Sequence, residues 1–212
     1  MSPVAHPPPP YRLETERLVI RCWEPRDAPL LKDALDTSLD HLRPWMPWAA
    51  DEPQTLDEKV ALLRRFRGSF DLGDDFVYGI FSRDERQVVG GTGLHTRVGA
   101  GALEIGYWIR ASQVGRGYAG EATAALTRVA FGVCRVDRVE LRVDPANEKS
   151  LVVPRRLGFT EEATLRRRLP SERGGAARDV VVFTLFADEL DGSPAATLPV
   201  EAYDALGREM AV

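Results

Sequence analysis

The sequence predicts one α/β domain, in the α+β sense: a mixed, mostly antiparallel central sheet flanked by helices. Three observations predict it. Three strand-like segments follow one another at residues 76–82, 87–96 and 103–109, with turn-forming residues between them. A glycine-rich stretch at 113–119 then leads into a long helical pattern at 117–133. Shorter strand and helix patterns flank this centre on both sides.

Pro7 to Pro10 form a polyproline run, so residues 1–11 read as a flexible leader and 12–190 as the domain. Leu18, Ile20 and Cys22 alternate with other residues, which predicts a strand over 17–23. Pro25, Arg26 and Asp27 open a helix that carries Leu30, Leu31 and Leu35. Pro44 and Pro47 break residues 41–50, and Val60, Leu63 and Phe66 recur at helical spacing over 56–70. Asp84-Glu85-Arg86 and Gly99-Ala100-Gly101 supply the turns of the three central strands. After the 117–133 helix come a strand at 138–143, a helix at 148–157 and strands at 159–165 and 179–186. The last two are joined through the polar segment 166–178. Residues 191–212 read as a tail with one weak helix at 200–210.

Composition narrows the function classes. With 212 residues, 44% hydrophobic and 28% charged, the chain is an ordinary globular protein. A net charge of −4 gives no general attraction to nucleic acid or anionic membrane, so neither is expected as a partner. No apolar run approaches the roughly 20 residues that span a bilayer. Cys22 and Cys134 have no metal-ligand spacing and fall in apolar patterns, so they read as buried free thiols in a reducing, cytoplasmic setting, with no metal.

Gln113-Val114-Gly115-Arg116-Gly117-Tyr118-Ala119 carries the strongest chemical signal. Glycines there let the backbone turn tightly and approach a ligand closely. The first N–H groups of the helix that follows have no partner inside it, and the helix dipole adds positive potential. Together they make an anion site, and a pyrophosphate is the expected guest. A dinucleotide fingerprint does not fit, because the parallel-sheet context is missing. A phosphate loop of the GxxxxGK[ST] kind is absent too.

The flanks add specificity. Glu104-Ile105-Gly106-Tyr107-Trp108-Ile109 precedes the loop, Asn147 and Ser150 follow one helix and one strand later, and Leu157-Gly158-Phe159 closes the unit. This ordered set resembles the Gcn5-related N-acetyltransferase (GNAT) superfamily. Within it, the set is similar to the ribosomal-protein N-terminal acetyltransferase (RimJ/RimL-like) branch. His41-Leu42-Arg43-Pro44-Trp45-Met46-Pro47-Trp48 also looks like that branch's substrate-side loop. The resemblance covers roughly residues 12–188 and is most specific over 102–165.

The resemblance implies acetyl-coenzyme A as cofactor, held where two strands splay apart. It implies direct transfer in a ternary complex to a primary amine, either a protein N-terminus or a small molecule. A longer donor such as succinyl-coenzyme A is a variant, and an acyl-coenzyme A sensor without turnover is the alternative. Related enzymes are often homodimers.

On the cofactor side, the resemblance implies main-chain contacts from Trp108, Ile109 and Arg110 and the loop residues 113–119, with Val114 and Arg116 among them. Asn147 and Ser150 complete that set, and Ser150 is the candidate proton donor to the leaving thiolate. Both residue types also favour helix starts, which is the plain structural reading.

Glu104 is the candidate general base, through a water, or else a solvated strand-end carboxylate. His95 is the runner-up base, with an imidazole suited to the task, or else a structural histidine. Leu42, Arg43, Trp45, Met46 and Trp48 are the acceptor-side candidates, although the two tryptophans also fit an anchor for the loop. Tyr107 joins this set and reads as a packing aromatic rather than a catalytic acid. Arg166-Arg167-Arg168 and the acidic residues Asp33, Asp36 and Asp40 read as solvated faces.

Overall fold

The computed structural model describes residues 7–169 and 176–212. It contains a ten-stranded sheet in the order β10-β9-β1-β2-β3-β4-β5-β6-β8-β7. The strands are β1 (Arg12–Glu14), β2 (Leu18–Cys22), β3 (Phe76–Ser82), β4 (Val88–His95), β5 (Ala102–Ile109), β6 (Arg138–Val143), β7 (Thr160–Leu169), β8 (Arg178–Phe186), β9 (Glu201–Tyr203) and β10 (Glu209–Met210). The helices are α1 (Ala28–Asp36), α2 (Leu39–Leu42), α3 (Leu56–Leu72), α4 (Tyr118–Gly132) and α5 (Glu148–Arg156).

Both faces of the central sheet are covered, which the alternation in β2 shows directly. Leu18, Ile20 and Cys22 join the larger core with α4 residues Ala122, Leu126 and Val129. Val19, between them, joins the second core with Leu31 and Leu35 of α1 and Leu63 of α3. Each such fully buried aliphatic side chain is worth about 1.5–3 kcal/mol relative to exposure. α3 starts on a capping box formed by Thr55 and Glu58 and ends at Gly73, which is left-handed at φ 77°.

Every neighbouring pair of strands is antiparallel except β5 and β6. Those two run parallel and pair only over Ala102↔Arg138, Leu103↔Val139 and Glu104↔Glu140. Beyond that rung they part, which gives the splay expected at the acyl-coenzyme A site.

The two chain ends differ from the sequence reading. The tail read as a weak helix at 200–210 is instead the two strands β9 and β10. Gly207 sits mid-window at φ 75° and its N–H donates to Asp204 O at 3.0 Å, so the segment turns back on itself as a hairpin. The open edge of β1 then pairs with β9. The leader is docked where it is described: Pro9 and Pro10 are buried, and the Tyr78 hydroxyl donates to Pro10 O at 2.8 Å. Residues 1–6 of the leader lie outside the described residues. Residues 170–175, within the polar β7–β8 connection, lie outside them as well.

Candidate active site

A cleft of about 1490 Å³ opens at the fork between β5 and β6. Its walls come from the end of β5, the glycine loop, the starts of α4 and α5, the loop after α2, and residues 194–199 of the tail.

The glycine loop forms one end. Gly115 and Gly117 stand at φ 80° and 83°, a region that L side chains rarely adopt. Gly117 is the N-cap of α4. Glu121 N donates to Gly117 O at 3.0 Å, so helical bonding begins there. The N–H groups of 115–120 have no backbone partner among the described residues outside the helix, and the first turn supplies none within it. This row of free donors at a helix N-terminus fits a diphosphate.

Strand register decides which β5 main-chain groups face the fork. Arg110 N donates to Val89 O at 2.8 Å, across the β4 side. Alternation along an antiparallel pair then turns the N–H groups of Tyr107 and Ile109 the other way, into the fork. Trp108 and Ile109 line the cleft and Arg110 does not. The Arg110 side chain instead reaches Asp33 at 2.8 Å. Of the three main-chain contacts expected here, Trp108 and Arg110 therefore present their main-chain groups to β4, and Ile109 alone faces the fork.

Asn147 and Ser150 line the cleft at the start of α5. The Asn147 side-chain oxygen accepts from Ser150 N at 3.2 Å, so Asn147 does cap the helix. That bond leaves the Asn147 amide nitrogen and the Ser150 hydroxyl without a hydrogen-bond partner among the described residues. The two readings of this pair are compatible. The Tyr107 hydroxyl crosses from β5 to donate to Ser150 O at 3.3 Å. Burial pushes the Tyr107 pKa up to about 12, so the phenol stays neutral and serves as a brace.

Gln113, Val114, Gly115, Gly117, Tyr118 and Ala119 all line the cleft, while Arg116 does not. The Gln113 amide donates to Gln87 at 2.6 Å, which anchors the loop to the β3–β4 turn.

Leu42, Trp45, Met46 and Tyr107 line the opposite end. Arg43 and Trp48 do not. Arg43 bonds Glu52 O at 3.1 Å, and Trp48 packs edge-on against Trp108 at 6.1 Å. Trp48 is thus an exposed ring leaning on Trp108 and not a buried anchor, and Trp45 is the wall.

The two expected bases are neighbours outside the cleft lining. Glu104 pairs with His95 across β5 and β4. The Glu104 carboxylate is buried and ion-paired to Arg97 and, at 3.7 Å, to Arg142. His95 Nδ1 lies 2.8 Å from Asp75.

Sequence reasoning missed His41, Lys149, Arg17 and Glu121, which all line the cleft. Burial, then the nearby Lys149 charge, lowers the His41 pKa below its usual value. His41 was legible as part of the proline-broken loop, but nothing in its spacing marked it as facing the cleft.

A fork with free main-chain donors, a glycine loop at a helix start, and an unpartnered hydroxyl beside them define a coenzyme A-dependent acyltransferase. Residues 17–160 match the family model described as the acetyltransferase (GNAT) domain. The chain is 30% identical over 160 residues to the [ribosomal protein uS5]-alanine N-acetyltransferase of Escherichia coli, covering 73% of this chain and 80% of that protein. It superposes on Mycobacterium smegmatis RimJ, solved in complex with CoA-disulfide, with a TM-score of 0.79 and 27% identity, covering 91% of this chain and 95% of the other. The ribosomal-protein-S5-alanine acetyltransferase of Vibrio fischeri shares the fold, with a TM-score of 0.73 at 22% identity over 84% of this chain and 98% of that one.

The chain belongs to the GNAT family and is an N-acetyltransferase whose cofactor is acetyl-coenzyme A. Among the described residues no helix is long and apolar enough to cross a membrane.

Proposed function

We propose that this acetyltransferase acts on the N-terminal α-amine of a protein, with ribosomal proteins as the acceptor class. The observation that carries this is the acceptor-side wall: His41, Leu42, Trp45 and Met46 share one cleft with Tyr107 and Ser150. The names of the relatives support it. A cytoplasmic setting and a homodimer belong to the same reading, and the two buried thiols suit that setting.

The main-chain donors at 115–120 hold the diphosphate, and the Asn147 amide and the fork edge of β5 hold the pantetheine arm. The bound cofactor supplies an activated acetyl thioester. A fork-facing N–H of Tyr107 or Ile109 would donate to the thioester carbonyl oxygen of the bound cofactor as the amine attacks. His41 receives the proton from the attacking amine, its lowered pKa keeping the imidazole neutral near pH 7. Ser150 gives its proton to the leaving sulfur as the C–S bond breaks. Solvent then returns a proton to Ser150 and takes one from His41. Glu104, engaged by Arg97 and Arg142, holds the base of the fork.

The test is acetyl-coenzyme A with a panel of peptides beginning with different residues, beside free polyamines and aminoglycosides, read by mass spectrometry. Acetylation confined to peptide α-amines is expected. Acetylation of the small amines alone overturns the acceptor class, and coenzyme A binding without any product favours the sensor.

A further inference from the structure

Glu121 lies in the first turn of α4, beside the loop that receives the cofactor's diphosphate, and it is buried. A carboxylate there is unfavourable for an anionic ligand, because it sets negative charge against the helix N-terminus that binds it. Four donors converge on it from the other end of the chain. Thr15 Oγ1 donates at 2.6 Å, Arg17 N at 3.2 Å and Arg17 Nε at 2.6 Å. Arg17 Nη2 closes the ion pair at 2.5 Å.

The same guanidinium reaches onward. Its Nη1 donates to Arg116 O at 2.9 Å, and its Cζ lies 4.8 Å from the Tyr118 ring centroid. Gly117, at φ 83°, would place a Cβ 3.5 Å from Arg17 Nη2. One side chain just before β2 therefore contacts Arg116 and Tyr118, on either side of Gly117. Glu16, Arg17 and Glu121 all line the cleft.

We propose that Arg17 is a positioning residue for the coenzyme A diphosphate: it cancels the Glu121 charge and, by holding the Arg116 carbonyl, keeps the loop's N–H groups facing the cleft. Each of its three nitrogens already bonds Glu121 or the Arg116 carbonyl, so its geometry is set by the helix start and the loop. Charge cancellation explains why a carboxylate is tolerated at this helix start. The carbonyl bond falls on Arg116, between the two left-handed glycines Gly115 and Gly117, and so holds the loop at its turn.

The test is calorimetric titration of coenzyme A into wild-type protein, Arg17→Met, Arg17→Lys and Arg17→Met/Glu121→Gln, at 0.05 and 0.5 M salt. Melting temperatures are recorded alongside. Arg17→Met should lose tenfold or more in affinity at low salt, and high salt should shrink that deficit relative to wild type. The double variant should recover part of that loss, because the uncompensated charge is gone while the bond to the Arg116 carbonyl is still missing. Arg17→Lys keeps the charge without the two-sided grip and should fall between. Unchanged affinity in Arg17→Met overturns the proposal. So does a deficit that salt leaves untouched and that the double variant shares in full, since that describes structural damage alone. If Arg17→Met does not fold, an Arg17→Lys affinity at low salt between wild type and a folded Gly117→Val supports the proposal, and wild-type affinity in Arg17→Lys overturns it.

Discussion

Glu104 and Glu140 stand side by side on the last paired rung of β5 and β6. Arg142 spans both carboxylates, at 3.7 Å and 3.1 Å, while Arg97 takes Glu104 and Arg138 takes Glu140 at 3.0 Å. Two like charges directly abreast would push strands apart unless countered. Here the arginines hold that rung, and the strands separate immediately beyond it. The crotch of the fork is an ion cluster, and the cleft begins where it ends.

The proposed role of His41 as base can be checked by pH profile. His41→Gln should lower kcat by roughly 10²-fold and abolish its acidic limb. In wild type that limb should lie below the usual imidazole value of about 6.5, because burial and Lys149 disfavour the charged ring, and the rate rises as pH passes the pKa and the ring becomes neutral. In kcat/KM for the acceptor, a second limb near about 8 should come from the α-amine itself. Glu104→Gln should keep the kcat limb. Loss of that limb in Glu104→Gln, with His41→Gln unaffected, returns the role to Glu104.

Ser150→Ala should slow turnover by roughly 10²-fold while changing coenzyme A affinity by no more than a few fold. The helix start survives the change, because Asn147 caps α5 through the Ser150 main chain rather than its hydroxyl. Wild-type kcat in this variant would remove Ser150 from the mechanism.

Gly117→Val should weaken coenzyme A binding by at least tenfold. A β-branched side chain at φ 83° costs about 1–3 kcal/mol in backbone strain and fills the space the diphosphate approaches through. Calorimetry on the folded variant measures it, and unchanged affinity there contradicts the placement of the diphosphate.

Lys59 is fully buried and bonded to Glu52, itself buried, and to Gln54 at 3.2 Å. This pair ties α3 to the segment that carries Trp45 and Trp48. Lys59→Met should destabilise the fold by about 3–5 kcal/mol, since it strands a buried carboxylate. Adding Glu52→Gln should recover part of that loss. Urea unfolding of both variants distinguishes the outcomes, and a neutral Lys59→Met would mean the pair contributes little.

Cys22 and Cys134 should resist alkylation. Burial pushes their thiols up to about 11 and about 12, leaving little thiolate at pH 8. Iodoacetamide should label neither in folded protein and both in denaturant, as counted by mass spectrometry. Rapid labelling of the native protein would contradict their burial.

Most of the fold was legible in the sequence because its signals are local. The alternation of Leu18, Ile20 and Cys22, the turn residues at 84–86 and 99–101, and the glycines before α4 each act within a few residues. The cofactor loop belongs to the same class, since a left-handed glycine and a helix start are properties of a short segment. The tail failed because the three-residue strand β9 is formed by the open edge of β1 and not by its own propensity.

By itself the sequence determined the strand and helix succession from β2 to β8 and the glycine-rich segment that opens α4. Tertiary structure decided which side chains share the cleft. It turned the Arg110 N–H toward Val89 and set Glu104 behind Arg97 and Arg142, and it placed His41 on the cleft wall. It also joined Arg17 to Glu121 across 104 positions of chain. Register and long-range pairing fix these relations, and neither is written in the spacing of nearby residues.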